Sequence, residues 1–154
     1  METFRELRNR FSRFADPSLG YDLIRSYLGI GLLIRGALFV AHPGALTSWL
    51  ESSGGWVTPM IVAHYVAAAH IGGGILLAAG LKTRLAAAVQ LPVLLGAVFF
   101  VHRAEGLLQA GQSLEFAALV LVMLFTYTVF GPGRVSADHW LAERARELEE
   151  QTAH

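Results

Sequence analysis

Five side chains able to bind a ligand, hold charge or move protons stand in or beside stretches that are otherwise apolar: Arg35, His64, His70, His102 and Glu115. Histidine titrates near neutral pH and can carry protons, bind metal or accept and donate hydrogen bonds. Arginine presents a fixed fork of N–H donors to carboxylate, phosphate or carbonyl oxygen. Arg35 with a histidine could hydrogen-bond the carbonyls of a quinone, while Glu115 or His64 passes protons. Three readings of Arg35 stay open. It can form a buried pair with Glu115, the one acidic residue at a compatible height. It can steady an anionic or carbonyl-bearing ligand. It can also extend to the headgroups along its aliphatic stem. His64 and His70 are six positions apart, about 240° around a helix, so they do not share a face. His42, His64, His102 and Glu115 could meet across helices and hold Zn, Fe or Cu, and two histidines from different helices could hold a haem. Each histidine can equally be satisfied by a backbone carbonyl, a hydroxyl or water. No catalytic residue and no metal site is assigned from these spacings.

The elements that must position these groups are apolar helices. Hydrophobic residues make up 54% of the 154-residue chain and charged residues 16%, against about 25% charged in an ordinary soluble domain. No Asp, Glu, Lys or Arg occurs from Ser52 to Leu81, from Leu85 to His102, or from Phe116 to Gly133. A helix needs roughly 20 mostly apolar residues to cross the hydrocarbon layer, and these runs reach or approach that length. A further apolar run, Leu23 to Ala41, carries Arg25 and Arg35. The expected fold is therefore all-α, one membrane domain with four transmembrane helices at residues 22–41, 59–81, 83–102 and 113–130. Ionisable groups at membrane depth are costly, so each needs a partner or a task. By rise per residue, Arg35 and His64 fall roughly 10 Å inside the outer boundary and His70 near the midplane. His42, His102 and Glu115 lie near that boundary, and Gln90 lies in the inner half.

Flanking segments complete the organisation. Phe4, Leu7, Phe11 and Phe14 recur at helical spacing among Arg5, Arg8, Arg10 and Arg13, which predicts a basic amphipathic helix over residues 1–16 lying in the headgroup layer. Asp16-Pro17-Ser18 reads as a break before the first span. Trp49 and Trp56 suit the interface. Gly72, Gly73 and Gly74 let the second span approach its neighbours closely, within one bundle or between copies. Pro92 is expected to bend the third. Gly131-Pro132-Gly133 stops the fourth, and Ser136 caps a solvated last helix, 137–151, with Arg146–Glu150 and Arg144–Glu147 pairs. Thr126, Thr128, Tyr65 and Tyr127 read as structural hydroxyls. Arg and Lys concentrate in the N-terminal segment, the Lys82–Arg84 loop and the tail, which predicts both termini in the cytoplasm. A cleavable signal peptide is not expected, because the first twenty residues are charged and interrupted. The chain has no cysteine and a formal net charge of zero. Disulfides and thiol chemistry are thereby excluded, and nothing in the charge points to nucleic acid.

Gly80-Leu81-Lys82-Thr83-Arg84-Leu85-Ala86-Ala87, then Val101-His102, Glu115, and Gly131-Pro132-Gly133-Arg134-Val135-Ser136-Ala137-Asp138 together resemble the DoxX/DoxD-like membrane proteins. Arg35 and the Gly72–Gly74 run fit the same pattern, which covers about Asp22 to Leu141. The resemblance implies a four-helix bundle in the cytoplasmic membrane. The family is named for a subunit of a thiosulfate:quinone oxidoreductase, and other members are associated with membrane redox or oxidative-stress complexes. Two departures alter the charge of the implied pocket. Many members carry a lysine soon after the first span, where this chain reads His42-Pro43-Gly44-Ala45. Many carry an acidic residue before the paired glycines of the second span, where His70 stands here. The resemblance implies a membrane subunit of a redox system, docking a quinone or a partner oxidoreductase, with the bilayer as its surroundings. A non-catalytic scaffold that recruits partners is the alternative. A small transporter fits less well, because Gln90 is the main polar residue of the inner half.

Overall fold

The computed structural model describes residues 17–42, 44, 59–101 and 113–152. The expected amphipathic segment 1–16, the interfacial Trp49 and Trp56, and His102 lie outside the described residues. Among them every regular element is a helix.

Helix α1 runs Pro17–Ala41. It starts five residues before the expected Asp22, within the Asp16-Pro17-Ser18 stretch read as a break. Proline at a first helical position gives up no hydrogen bond and presets φ, so it opens the helix instead of interrupting it. Helix α2 spans residues 59–79 in three parts: Pro59–Ala68, a wider π turn at Ala69–Gly73, and Gly74–Ala79. It ends at Gly80, whose left-handed φ of 69° lets Gly80 N–H donate to Leu77 O (3.2 Å) and Leu81 N–H to Leu76 O (2.9 Å). That is a glycine-ended Schellman cap, and it stops the helix short of the expected Leu81.

Helix α3 comprises Thr83–Gly96 followed by a π turn at Ala97–Val101. Pro92 lies within it. The Tyr65 hydroxyl donates to Val89 O in the preceding turn (2.7 Å), which ties α2 to α3. Helix α4 is Ser113–Phe130 and α5 is Ala137–Thr152. Thr126 and Thr128 return their hydroxyls to Val122 O and Leu124 O of their own helix.

Helix α1 packs along α2, α2 on α3, and α3 along α4. The first contact is backbone on backbone. A methyl group added at Gly29 would fall on the Ala78 backbone and 2.8 Å from Gly74 O, and one at Gly74 would lie 2.7 Å from Leu33 N. Gly73 and Gly74 face inward, whereas Gly72 faces open space. The shared core is thin: Leu28, Leu32, Leu77, Leu94, Val120 and Leu124, with alanines between them. Most apolar surface points the other way. Three helices are long and apolar enough to cross a membrane, and only 22–33% of each is buried; Thr83–Phe99 is shorter but also apolar. Leu23, Ile34, Phe116, Leu119 and Phe125 are all more than half exposed. Exposed apolar surface on that scale belongs in lipid, so the chain is a membrane protein.

Helix α5 differs in kind. It buries none of its residues. The Ser136 hydroxyl accepts from His139 N–H at its start (3.1 Å), an N-cap. His139 Nε2 lies 3.2 Å from Glu143 Oε1, and Arg144 lies over the Trp140 ring at 5.3 Å. The expected Arg146–Glu150 and Arg144–Glu147 pairs do not form among the described residues. Stacking on the indole draws Arg144 toward Trp140, one turn back along the helix.

Candidate functional site

Polar side chains gather at two levels of the bundle. The first lies at the π turn of α2. His70 is 4% exposed, and its Nδ1 stands 2.9 Å from Val66 O. A carbonyl partner places the ring proton on Nδ1 and leaves Nε2 as an acceptor in the neutral ring. Phe39 of α1 meets the His70 ring edge to face, with centroids 5.4 Å apart. The Arg35 guanidinium sits over the other partner of that ring, 5.4 Å from the Phe39 centroid. Arg35, Phe39 and His70 thus form a line running from an exposed cation to a buried imidazole. Gly36 permits it, since a methyl group there would lie 2.8 Å from His70 Cβ.

Behind His70, Gln90 of α3 is fully buried. Its Nε2 donates to Ala69 O (2.8 Å), a carbonyl of the π turn. Wide turns of this kind release backbone groups from the regular helical ladder and recur at functional positions. Gln90 Oε1 is buried without a hydrogen-bond partner among the described residues.

The other expected groups are dispersed. His64 is exposed, and its Nδ1 is 2.7 Å from Met60 O of its own helix. His42 is exposed at the end of α1. Glu115 is half-buried in the first turn of α4, where a carboxylate suits the helix dipole. No ion pair joins Arg35 to Glu115 among the described residues; Arg35 turns to Phe39. No three His, Asp or Glu side chains among the described residues come together as a metal site. The structure therefore joins Arg35 to His70 through Phe39, leaves His64 apart, and adds Gln90.

The second level, at the end of the bundle where α1 begins, has no counterpart in the sequence reading. Arg25 is 1% exposed and Asp22 5%, and they pair at 3.1 Å. Arg25 also donates to Leu77 O (2.6 Å) and Ala78 O (3.2 Å), carbonyls of the last turn of α2, and to Val135 O (2.9 Å). A cation at a helix C-terminus meets both the orphan carbonyls and the negative end of the dipole. Asp22 Oδ2 accepts from Val135 N–H (2.8 Å). Gly133 allows this approach, since a methyl group on it would occupy the Asp22 carboxylate. Tyr21 donates to Gly131 O (2.9 Å) and Tyr127 to Tyr21 O (2.8 Å). Asp138 closes the ring: its two carboxylate oxygens accept from Lys82 N–H (2.7 Å) and Thr83 N–H (2.9 Å), while its own N–H donates to Gly80 O (2.9 Å). Lys82, at a left-handed φ of 46°, offers α3 no side-chain cap of its own, so the cap comes from 56 residues further on. The signal for this level was present in Asp22 and Arg25, an i, i+3 acid–base pair on one helix face. Asp22, Arg25 and Asp138 each hydrogen-bond backbone groups of other segments.

A family model described as DoxX matches residues 20–103, which takes in α1 to α3. No curated protein and no solved structure matches the chain.

Proposed function

Because the chain belongs to the DoxX family, we propose that it serves as a membrane subunit of a redox system, docking a quinone or a partner oxidoreductase within the bilayer. The observation that carries this reading is the Arg35–Phe39–His70 line. An arginine exposed on an apolar helix is costly in lipid unless something outside the chain meets it. A quinone headgroup offers carbonyls to the guanidinium and a ring to stack beside Phe39. His70 and Gln90 are both buried; His70 supplies an imidazole for proton exchange with a reduced headgroup, and Gln90 an amide oxygen that can accept a hydrogen bond. Thr83–Phe99 and the π turn after it reach residue 101, roughly 28 Å of helix, so α3 serves as the fourth span. Lys82, Arg84 and Arg134 all stand at the α1-start end of the bundle, which the positive-inside rule assigns to the cytoplasm of a cytoplasmic membrane.

The test is quinone binding to the detergent-purified protein, followed by quenching of its tryptophan fluorescence. Arg35→Ala should weaken binding on the order of tenfold, since a charge-assisted hydrogen bond contributes about 1.5–3 kcal/mol, with the fold intact. Unchanged binding in a folded variant would remove Arg35 from the role. An oxidised-minus-reduced absorption spectrum separates a quinone site from haem held by histidines, which would shift its Soret band.

A scaffolding role is the second reading, favoured by the hydrogen bonds that tie Asp22, Arg25 and Asp138 to backbone groups. It expects partner association to survive Arg35→Ala and quinone binding to be absent from the parent protein.

A further inference from the structure

We propose that the cavity where α1, α4 and α5 meet binds a phosphate group, presented by the headgroup of an anionic lipid. The cavity measures about 290 Å³, and its lining includes Tyr21 of α1, Phe130 of α4, Pro132 and Arg134 of the linker, and His139 of α5. That volume is near the lower end for a ligand pocket, roughly 300 Å³, and suits a small headgroup. The lining is of two kinds. The Tyr21 ring, Phe130 and Pro132 are apolar, while Arg134 and His139 bring nitrogen. Arg134 is exposed, and no hydrogen bond or ion pair among the described residues engages its side chain. The acids nearby are occupied elsewhere. Asp22 pairs with Arg25, Asp138 caps α3, and Glu143 stands beside His139 Nε2. Arg84 adds a second cation against the same linker, since a methyl group on Gly131 would lie 2.7 Å from its Nε.

The backbone that carries Arg134 is held on both sides. Ser136 Oγ donates to Gly133 O (2.8 Å), and Val135 is tied through its N–H to Asp22 (2.8 Å) and through its carbonyl to Arg25 (2.9 Å). A linker already fixed loses little freedom when a ligand binds, and the arginine fork meets two phosphate oxygens at once. Position favours a lipid as the source of that phosphate. Helix α4 has 18 residues, about 27 Å of helix against a hydrocarbon layer of about 30 Å. Phe130, its last residue, is 72% exposed, so the cavity opens where acyl chains give way to headgroups. A lipid with its phosphate on Arg134 lays its glycerol and upper acyl carbons over Phe130 and Pro132, a contact that free phosphate lacks.

The test uses the full-length chain in a neutral detergent, titrated separately with short-chain phosphatidic acid, phosphatidylcholine of the same chains, and inorganic phosphate, with bound species counted by native mass spectrometry. The parent protein should bind phosphatidic acid at least several-fold more tightly than phosphatidylcholine. Arg134→Gln should weaken that binding on the order of tenfold, the loss of a charge-assisted contact. Arg146→Gln removes the same charge from α5 outside the cavity and should leave binding unchanged. Equal losses in the two variants would reduce the effect to overall charge and overturn the proposal, as would a parent protein that does not prefer phosphatidic acid and does not bind inorganic phosphate. Phosphatidic acid bound more tightly than inorganic phosphate makes a lipid the source. Inorganic phosphate bound as tightly, and equally sensitive to Arg134→Gln, keeps the phosphate site and makes its source soluble. The preference is read in the parent protein, so it does not depend on how either variant folds.

Discussion

Arg25 and Asp22 grip the Val135 residue from its two backbone ends. Arg25 donates to Val135 O at 2.9 Å, Val135 N–H donates to Asp22 Oδ2 at 2.8 Å, and the two side chains pair with each other at 3.1 Å. Removing one partner leaves the other charge buried. Asp22→Ala should therefore cost about 3–5 kcal/mol, read from unfolding in mixed micelles by circular dichroism. A double-mutant cycle with Arg25→Met should give a coupling of about 0.5–3 kcal/mol. Additive losses would mean that each residue acts only through its own backbone contacts.

Glycine positions divide by what faces them. Gly29→Ala drives a methyl group into the Ala78 backbone and should destabilise by about 1–3 kcal/mol as α1 and α2 are pushed apart. Gly72→Ala meets nothing within 4 Å and should be neutral or stabilising by up to about 1 kcal/mol. Melting temperatures of the two variants side by side check this; equal losses would refute the packing account.

Asp138 substitutes for a local cap on α3. Asp138→Ala should cost about 0.5–2 kcal/mol and speed hydrogen exchange at the Lys82 and Thr83 amides above all others. Exchange raised uniformly along α3 would point to global loosening instead.

Gln90 is poised between two costs. Gln90→Leu orphans Ala69 O, which costs about 1–3 kcal/mol, but removes an acceptor that has no donor. Its net effect should fall within about 1 kcal/mol of zero. Gln90→Glu buries a charge and should be far more damaging. A thermal shift assay on both variants decides. If Gln90→Leu proves as harmful as Gln90→Glu, a hydrogen bond to Oε1 is present in the working protein.

What could be read from the sequence followed from local periodicity. The charge-free runs became helices, Gly131-Pro132-Gly133 ended α4, Ser136 capped α5, and Thr126 and Thr128 bonded their own backbone. What could not be read depended on partners far along the chain. Arg25 looked like a passenger in an apolar run because Leu77, Ala78 and Val135, its acceptors, lie 52 to 110 residues away. Arg35 was matched to Glu115 by height alone, and height says nothing about azimuth: an aromatic ring one turn along the same helix was nearer. Pro17 was read by its reputation as a breaker, although position within a helix decides what a proline does. The π turns of α2 and α3 left no mark in the pattern, since one extra residue in a turn changes no residue type.

The grip of Asp22 and Arg25 on Val135 also sets an order of events during synthesis. Asp22 and Arg25 leave the ribosome more than a hundred residues before Val135, so this acid–base pair waits half-satisfied while α2, α3 and α4 are made. The stretch that follows α4 is the keystone that lets the first helix settle. A chain released early, at Pro132, would hold every apolar helix and still lack its final stone, and pulse-chase labelling should show quality-control proteases clearing it faster than the full-length chain.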